Sequence, residues 1–90
     1  MLNLKASSQF KTDFKKYIHN KPVLEEFKEV VKILRNRNKL LEKHVDHSLG
    51  SKYKGMRECH LKPNALLIYY VNEESHTLYL ERIGSHSKLF

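Results

Sequence analysis

Ala65-Leu-Leu-Ile-Tyr-Tyr-Val71 is the stretch that decides the fold. It is apolar on both faces when extended, so it reads as a strand covered on both sides, the central strand of a sheet. Turn-forming clusters bound it, Lys62-Pro63-Asn64 before and Asn72-Glu-Glu-Ser-His76 after. Beyond them, Tyr53 to Leu61 and Thr77 to Ile83 read as further extended runs, so the C-terminal half predicts three antiparallel neighbours joined by hairpins.

Upstream the hydrophobic period changes. Phe10, Phe14, Tyr17 and Ile18 fall on one face at helical spacing, Lys11, Lys15 and Lys16 face elsewhere, and Ser7 or Ser8 can cap. Asn20-Lys21-Pro22 breaks this helix, and Pro22 opens a second with the stripe Val23, Leu24, Phe27, Val30, Val31 and Leu34. Glu25 and Glu26 are expected in its first turn and Lys32, Arg35 and Arg37 near its end, the charge order the helix dipole favours. Leu2 and Leu4 mark a short strand from Met1 to Lys5, and Lys39 to Lys52 reads as loop. The predicted fold is α+β in one domain spanning 1–90: strand, helix, helix and three strands, with a helical hairpin packed on one face of a mainly antiparallel sheet. The other face, or its rim, is left for a substrate.

Lys and Arg total 17 against 10 Asp and Glu in 90 residues, a formal charge of +7 that favours RNA, DNA or an acidic protein as partner. The length allows one modest core. A single cysteine, Cys59, excludes an intramolecular disulfide framework. Met1-Leu-Asn-Leu-Lys-Ala6 does not read as a signal peptide, and no apolar run approaches the ~20 residues that span a bilayer. The expectation is a cytoplasmic protein without a membrane partner.

Three of the six histidines fall at landmarks of this map: His47 in the loop entering the sheet, His60 at the end of a strand and His86 just past the last strand. Imidazole titrates nearest neutrality, so two histidines can serve as base and acid without a metal. Cleaving RNA needs a base for the ribose hydroxyl, a cation for the phosphorane and an acid for the leaving oxygen. Arg57 and Arg82, on the same strands, are candidates for holding the phosphate, or for pairing with Glu58 and Glu81. His19, His44 and His76 read as surface or helix-cap residues. A zinc site from His47, His60 and His86 lacks the short spacings of metal motifs. Cys59 and His60 are adjacent on a strand and point to opposite faces, which makes Cys59 a core residue rather than a nucleophile. Phe90 reads as a tail or core plug, or as a ring that stacks on an unpaired base. The basic run from Lys32 to Lys43 reads as a solvated face.

Asp46-His-Ser-Leu49, Gly55-Met-Arg-Glu-Cys-His60-Leu-Lys-Pro63-Asn-Ala-Leu-Leu-Ile-Tyr69 and Arg82-Ile-Gly-Ser-His86-Ser-Lys-Leu-Phe90, occurring together, resemble the YafQ-type toxins of the RelE/ParE superfamily. The resemblance follows the element order of the whole chain and is specific over its C-terminal half. It implies the toxin of a type II toxin-antitoxin system, an endoribonuclease that cuts messenger RNA on the ribosome by metal-independent histidine acid and base chemistry, with no cofactor. It implies a cognate acidic antitoxin, with operator DNA met only through the antitoxin complex. Residue by residue it implies His47, His60, His86 and Arg82 as catalytic and Lys54, Arg57, Asn64 and Phe90 as substrate-binding. His60 or His47 is then the base and His86 the acid.

Two departures stand out. Asn64 occupies a position where the family often has aspartate, and an amide cannot act as a general base or hold a negative charge. In the family's DHxLxG pattern Gly50 comes one place early, leaving Ser51 in the glycine slot. The alternatives are a ParE-like toxin acting on gyrase through protein contacts, or a weakened module that only binds antitoxin. A gyrase inhibitor would tolerate alanine at His60 and His86 together.

Overall fold

Two side-chain caps set the helical hairpin in the computed structural model, which describes all 90 residues. Ser7 Oγ accepts from the Phe10 amide at 2.9 Å and starts α1 (Ser8–Phe14). Asn20 Oδ1 accepts from the Val23 amide at 3.3 Å and starts α2 (Lys21–Arg35), after a 3-10 turn at Lys15–Tyr17. Because Lys21 rather than Pro22 is the first helical residue, Glu25 and Glu26 lie beyond the first turn, which carries no carboxylate.

Five strands make one mixed sheet in the order β1-β5-β4-β3-β2: β1 (Asn3–Ala6), β2 (His47–Ser48), β3 (Arg57–Lys62), β4 (Ala65–Asn72) and β5 (Thr77–Gly84). The apolar strand β4 is central, as its two faces require. All pairs are antiparallel except β1 with β5, where Asn3 to Ala6 run parallel beside Thr77 to Leu80. Alternation along the strands gives one face to the helices: Cys59, Leu61, Leu67, Tyr69, Leu78 and Leu80 meet Phe10, Val23, Val30 and Val31. Phe10, Phe14 and Phe27 close the hairpin onto itself with ring centroids 5.1–5.8 Å apart. Cys59 is fully buried here, and burial pushes its thiol pKa up, which leaves it protonated and inert. No helix is long and apolar enough to cross a membrane.

Several local features differ from the sequence reading. The strand expected from Tyr53 begins only at Arg57, because Ser51–Tyr53 is a 3-10 turn. His47 lies not in a loop but on the two-residue edge strand β2. His86 opens a short helix, α3 (His86–Leu89), capped by Ser85 Oγ, which accepts from the Lys88 amide at 3.2 Å. His44 is buried rather than at the surface, with Nε2 3.4 Å from Glu26 Oε1. The face opposite the helices is not bare either. Leu89 folds back with Tyr53 onto Leu66 and Ile68, joined by Leu49 and Met56, as a second small core. Gly84 permits this, since a Cβ there would stand 3.2 Å from Leu89 Cδ2. The Tyr53 hydroxyl donates to the Leu89 carbonyl at 3.0 Å and ties the chain end down.

Candidate active site

One line of directly opposed residues crosses four strands. His47 on β2 faces Glu58 on β3, Glu58 faces Ile68 on β4, and Ile68 faces Arg82 on β5. Opposed residues share a face, so this row stands on the side away from the helices. His60, two residues from Glu58, stands on the same side. It opposes Leu66, and Leu66 opposes Gly84, from which the chain leaves for His86.

Glu58 is the centre of the row. It is 4% exposed, and its Oε1 lies 3.3 Å from His47 Nε2 and 3.7 Å from His60 Nε2. Its Oε2 is buried with no hydrogen-bond partner, a costly arrangement for a carboxylate. His47 Nδ1 is 2.8 Å from the Val45 carbonyl oxygen. A carbonyl only accepts, so that nitrogen carries a proton. Nε2 of the same ring faces the Glu58 carboxylate, so the imidazole of His47 is oriented from both sides. The sequence reading passed over Glu58 as a possible partner of Arg57. The signal that finds it is strand alternation, because Glu58 and His60 are polar at i and i+2 around the buried Cys59.

His86 lies on α3, where its ring stacks on Phe90 with centroids 4.9 Å apart at 27°. Phe90 also meets Tyr53 edge-on at 5.4 Å and remains 51% exposed, so it is neither a frayed tail nor a core plug. Lys52 Nζ sits 5.1 Å over the Tyr53 ring.

Neither arginine pairs with its neighbouring glutamate. Arg82 gives Asp13 two hydrogen bonds, Nε to Oδ2 at 2.7 Å and Nη2 to Oδ1 at 3.1 Å. Arg57 opposes Tyr69, whose side chain belongs to the helix-side core, and both hold Asp46: Arg57 through Nε and Nη2 at 3.1–3.2 Å, Tyr69 through its hydroxyl. The sheet therefore separates Arg57 from the face that carries Glu58 and His60. Asn64 is exposed in the β3–β4 turn, and Lys54 is exposed just after the 3-10 turn.

A family profile described as the bacterial toxin of type II toxin-antitoxin systems, YafQ, matches residues 2–90. The chain belongs to the YafQ toxin family. Among YafQ relatives, the mRNA interferase toxin YafQ of Escherichia coli (strain B / BL21-DE3) is 32% identical over 89 residues, 98% of this chain and 95% of that protein. A metal-bound toxin from Helicobacter pylori superposes with a TM-score of 0.91 at 41% identity over 100% of both chains. YafQ in the E. coli DinJ-YafQ complex gives 0.84 at 31% identity, covering 100% of this chain and 99% of that one.

Against the YafQ pattern, the displaced glycine has a visible consequence. Ser51, in the family's glycine slot, has φ +53°, and Gly50 beside it does not need its freedom. Ser51→Gly is expected to stabilise the protein by about 0.5–1 kcal/mol, the left-handed penalty less the entropy glycine gains when unfolded. A denaturant melt with a shifted midpoint and an unchanged slope is the check.

Proposed function

We propose that this chain is a ribonuclease toxin that cuts messenger RNA by histidine acid and base chemistry without a metal. The observation that carries this reading is the convergence of two imidazoles on one oxygen of a buried carboxylate. In the proposed mechanism His60, with Glu58 to take up its developing charge, removes the ribose hydroxyl proton. His47, oriented by the Val45 carbonyl and Glu58, stands beside His60 to assist at the phosphorane, and His86 protonates the leaving oxygen. Phe90, covered on one side by His86 and Tyr53, stacks a base near the cut. Arg82 is aimed by Asp13 and keeps Nη1 for the phosphate. Lys54 contacts the RNA backbone and Asn64 orients the ribose, a neutral role in place of the family's carboxylate. Arg57, on the other side of the sheet, has no part in the reacting centre.

The E. coli relative assembles with DinJ. With a charge of +7 on this chain, that assembly supports an acidic antitoxin as its neutralising partner. An open site with few contacts for specificity also favours the ribosome as the body that positions the message, so naked RNA should be cut slowly.

The H. pylori relative is metal-bound, but in this chain no three His, Cys, Asp or Glu side chains are arranged to hold a metal ion. Cleavage is therefore expected to survive EDTA and to leave a cyclic or 3′-phosphate end; loss of cutting with chelator would overturn the metal-free reading. Glu58→Gln is expected to cut the rate about 100-fold or more and to lower stability modestly, since the amide puts two buried N–H donors where Oε2 has no partner. Single-turnover cleavage and a thermal melt measure the two effects, and an active Glu58→Gln protein would remove Glu58 from the mechanism.

A further inference from the structure

α1 is stitched to the edge of β5 where β1 ends. Beyond Ala6, the Ser7 amide donates to the Leu80 carbonyl at 3.0 Å, Ser7 Oγ donates to the Glu81 carbonyl at 2.8 Å, and Asp13 Oδ2 accepts from the Ile83 amide at 3.2 Å. This seam holds the 3-10 turn after α1 beside the start of α3 and leaves an open cleft between them. Lys16 and Tyr17 line one side, Ser85 and Lys88 the other, and the buried Asp13 also lines it.

The charges in this cleft are unbalanced. Lys16 and Lys88 lie close enough to interact directly, and the Lys88 ammonium beside Lys16 pulls the Lys16 pKa below its usual value. No carboxylate is within ion-pair distance of either lysine; the eight ion pairs of the chain involve other residues. The one acid in the cleft, Asp13, is committed to Arg82, Gln9 and the Ile83 amide. Asp13 attracts Lys16 only weakly against the repulsion from Lys88, and an anion bridging the two cations removes that repulsion. The lining is mainly polar, so it does not suit an amphipathic protein segment. Lys88 belongs to the same helical turn as His86.

We propose that this cleft is a second anion site of the toxin, in which Lys16 and Lys88 together bind a backbone phosphodiester of RNA. The inference rests on the ribonuclease reading for its choice of ligand. A strand cut at His86 then has a neighbouring phosphate anchored on the far side of α3, and this fixes its direction across the site. The phosphodiester belongs either to the message or to ribosomal RNA, and both sources offer the same chemistry.

The test compares wild type with Lys16→Gln/Lys88→Gln, which keeps chain length and removes charge. One arm measures binding of a short single-stranded RNA made uncleavable by 2′-O-methyl groups, across a salt series. The other measures binding to ribosomes programmed with a message. The double variant is expected to raise Kd about 3- to 10-fold at low salt and to flatten the plot of log K against log salt by about 0.7 per phosphate lost. Its melting temperature should be unchanged or higher, since two like charges are gone. Weaker binding of the oligonucleotide supports the site with the message as source, and weaker binding to ribosomes alone supports it with ribosomal RNA as source. Unchanged affinity and slope in both arms overturn the proposal, as does a loss confined to antitoxin binding. A wild-type protein that binds the methylated RNA through these lysines, yet cuts an unmethylated message neither free nor on programmed ribosomes, overturns the ribonuclease reading and leaves the phosphate site standing.

Discussion

Induction of the His86→Ala variant is expected to leave growth unaffected where the wild type arrests it, with single-turnover cleavage lowered by about 10²–10⁴-fold. His86 is the only histidine on the C-terminal helix, and it is the acid of the proposed mechanism. It is exposed, and α3 is capped by Ser85 rather than by His86, so the substitution removes chemistry without removing a support of the fold. What it does lose is the stack on Phe90, worth about 0.5–1.5 kcal/mol, a loss a domain of this size can absorb. Affinity for uncleavable RNA should fall only modestly, because Phe90 remains. Pairing His86→Ala with His60→Ala should cost far less than the product of the two, since acid and base act in one step. Equal toxicity of wild type and His86→Ala would instead favour a toxin that works through protein contacts.

The parts of the molecule governed by local chemistry were legible in the sequence. Ala65 to Val71 announced the sheet centre because a strand apolar on both faces has no other place, and Ser7 and Phe10, Phe14 and Phe27 announced the helical hairpin. β2 and α3 were not legible, since two and four residues carry no measurable period. β2 exists because His47 and Ser48 find β3, and α3 because Gly84 admits Leu89. The site follows the same division. His47, His60 and His86 stood out as residue types and strand alternation puts Glu58 on the face of His60, but that His47 shares this carboxylate depends on the register of β2 against β3. Arg82 had an obvious charge and no obvious partner, for Asp13 lies 69 residues away.

Asp13→Ala is expected to have the largest effect on stability, about 3–5 kcal/mol. Asp13 is buried and accepts from Arg82 twice, from Gln9 and from the Ile83 amide, while the Arg82 side chain is only 18% exposed. Removing the carboxylate leaves a mostly buried guanidinium and an edge amide without partners. For a domain whose total stability is about 5–15 kcal/mol, that approaches unfolding. Burial pushes the Asp13 carboxyl pKa up, but Arg82, Gln9 and the Ile83 amide together outweigh burial and hold it below its ordinary value. A carboxyl depressed on folding stabilises fully above its unfolded pKa of about 3.9, and that contribution is lost as pH falls through the lower folded value. The wild type should therefore show an acid limb below about pH 4, and Asp13→Asn should lack this part of it. Asp13→Ala/Arg82→Met should recover part of the loss of Asp13→Ala alone, because the stranded charge is gone. Recovery of stability without recovery of cleavage would separate the two duties of Arg82, pinning α1 to the sheet and meeting the phosphate.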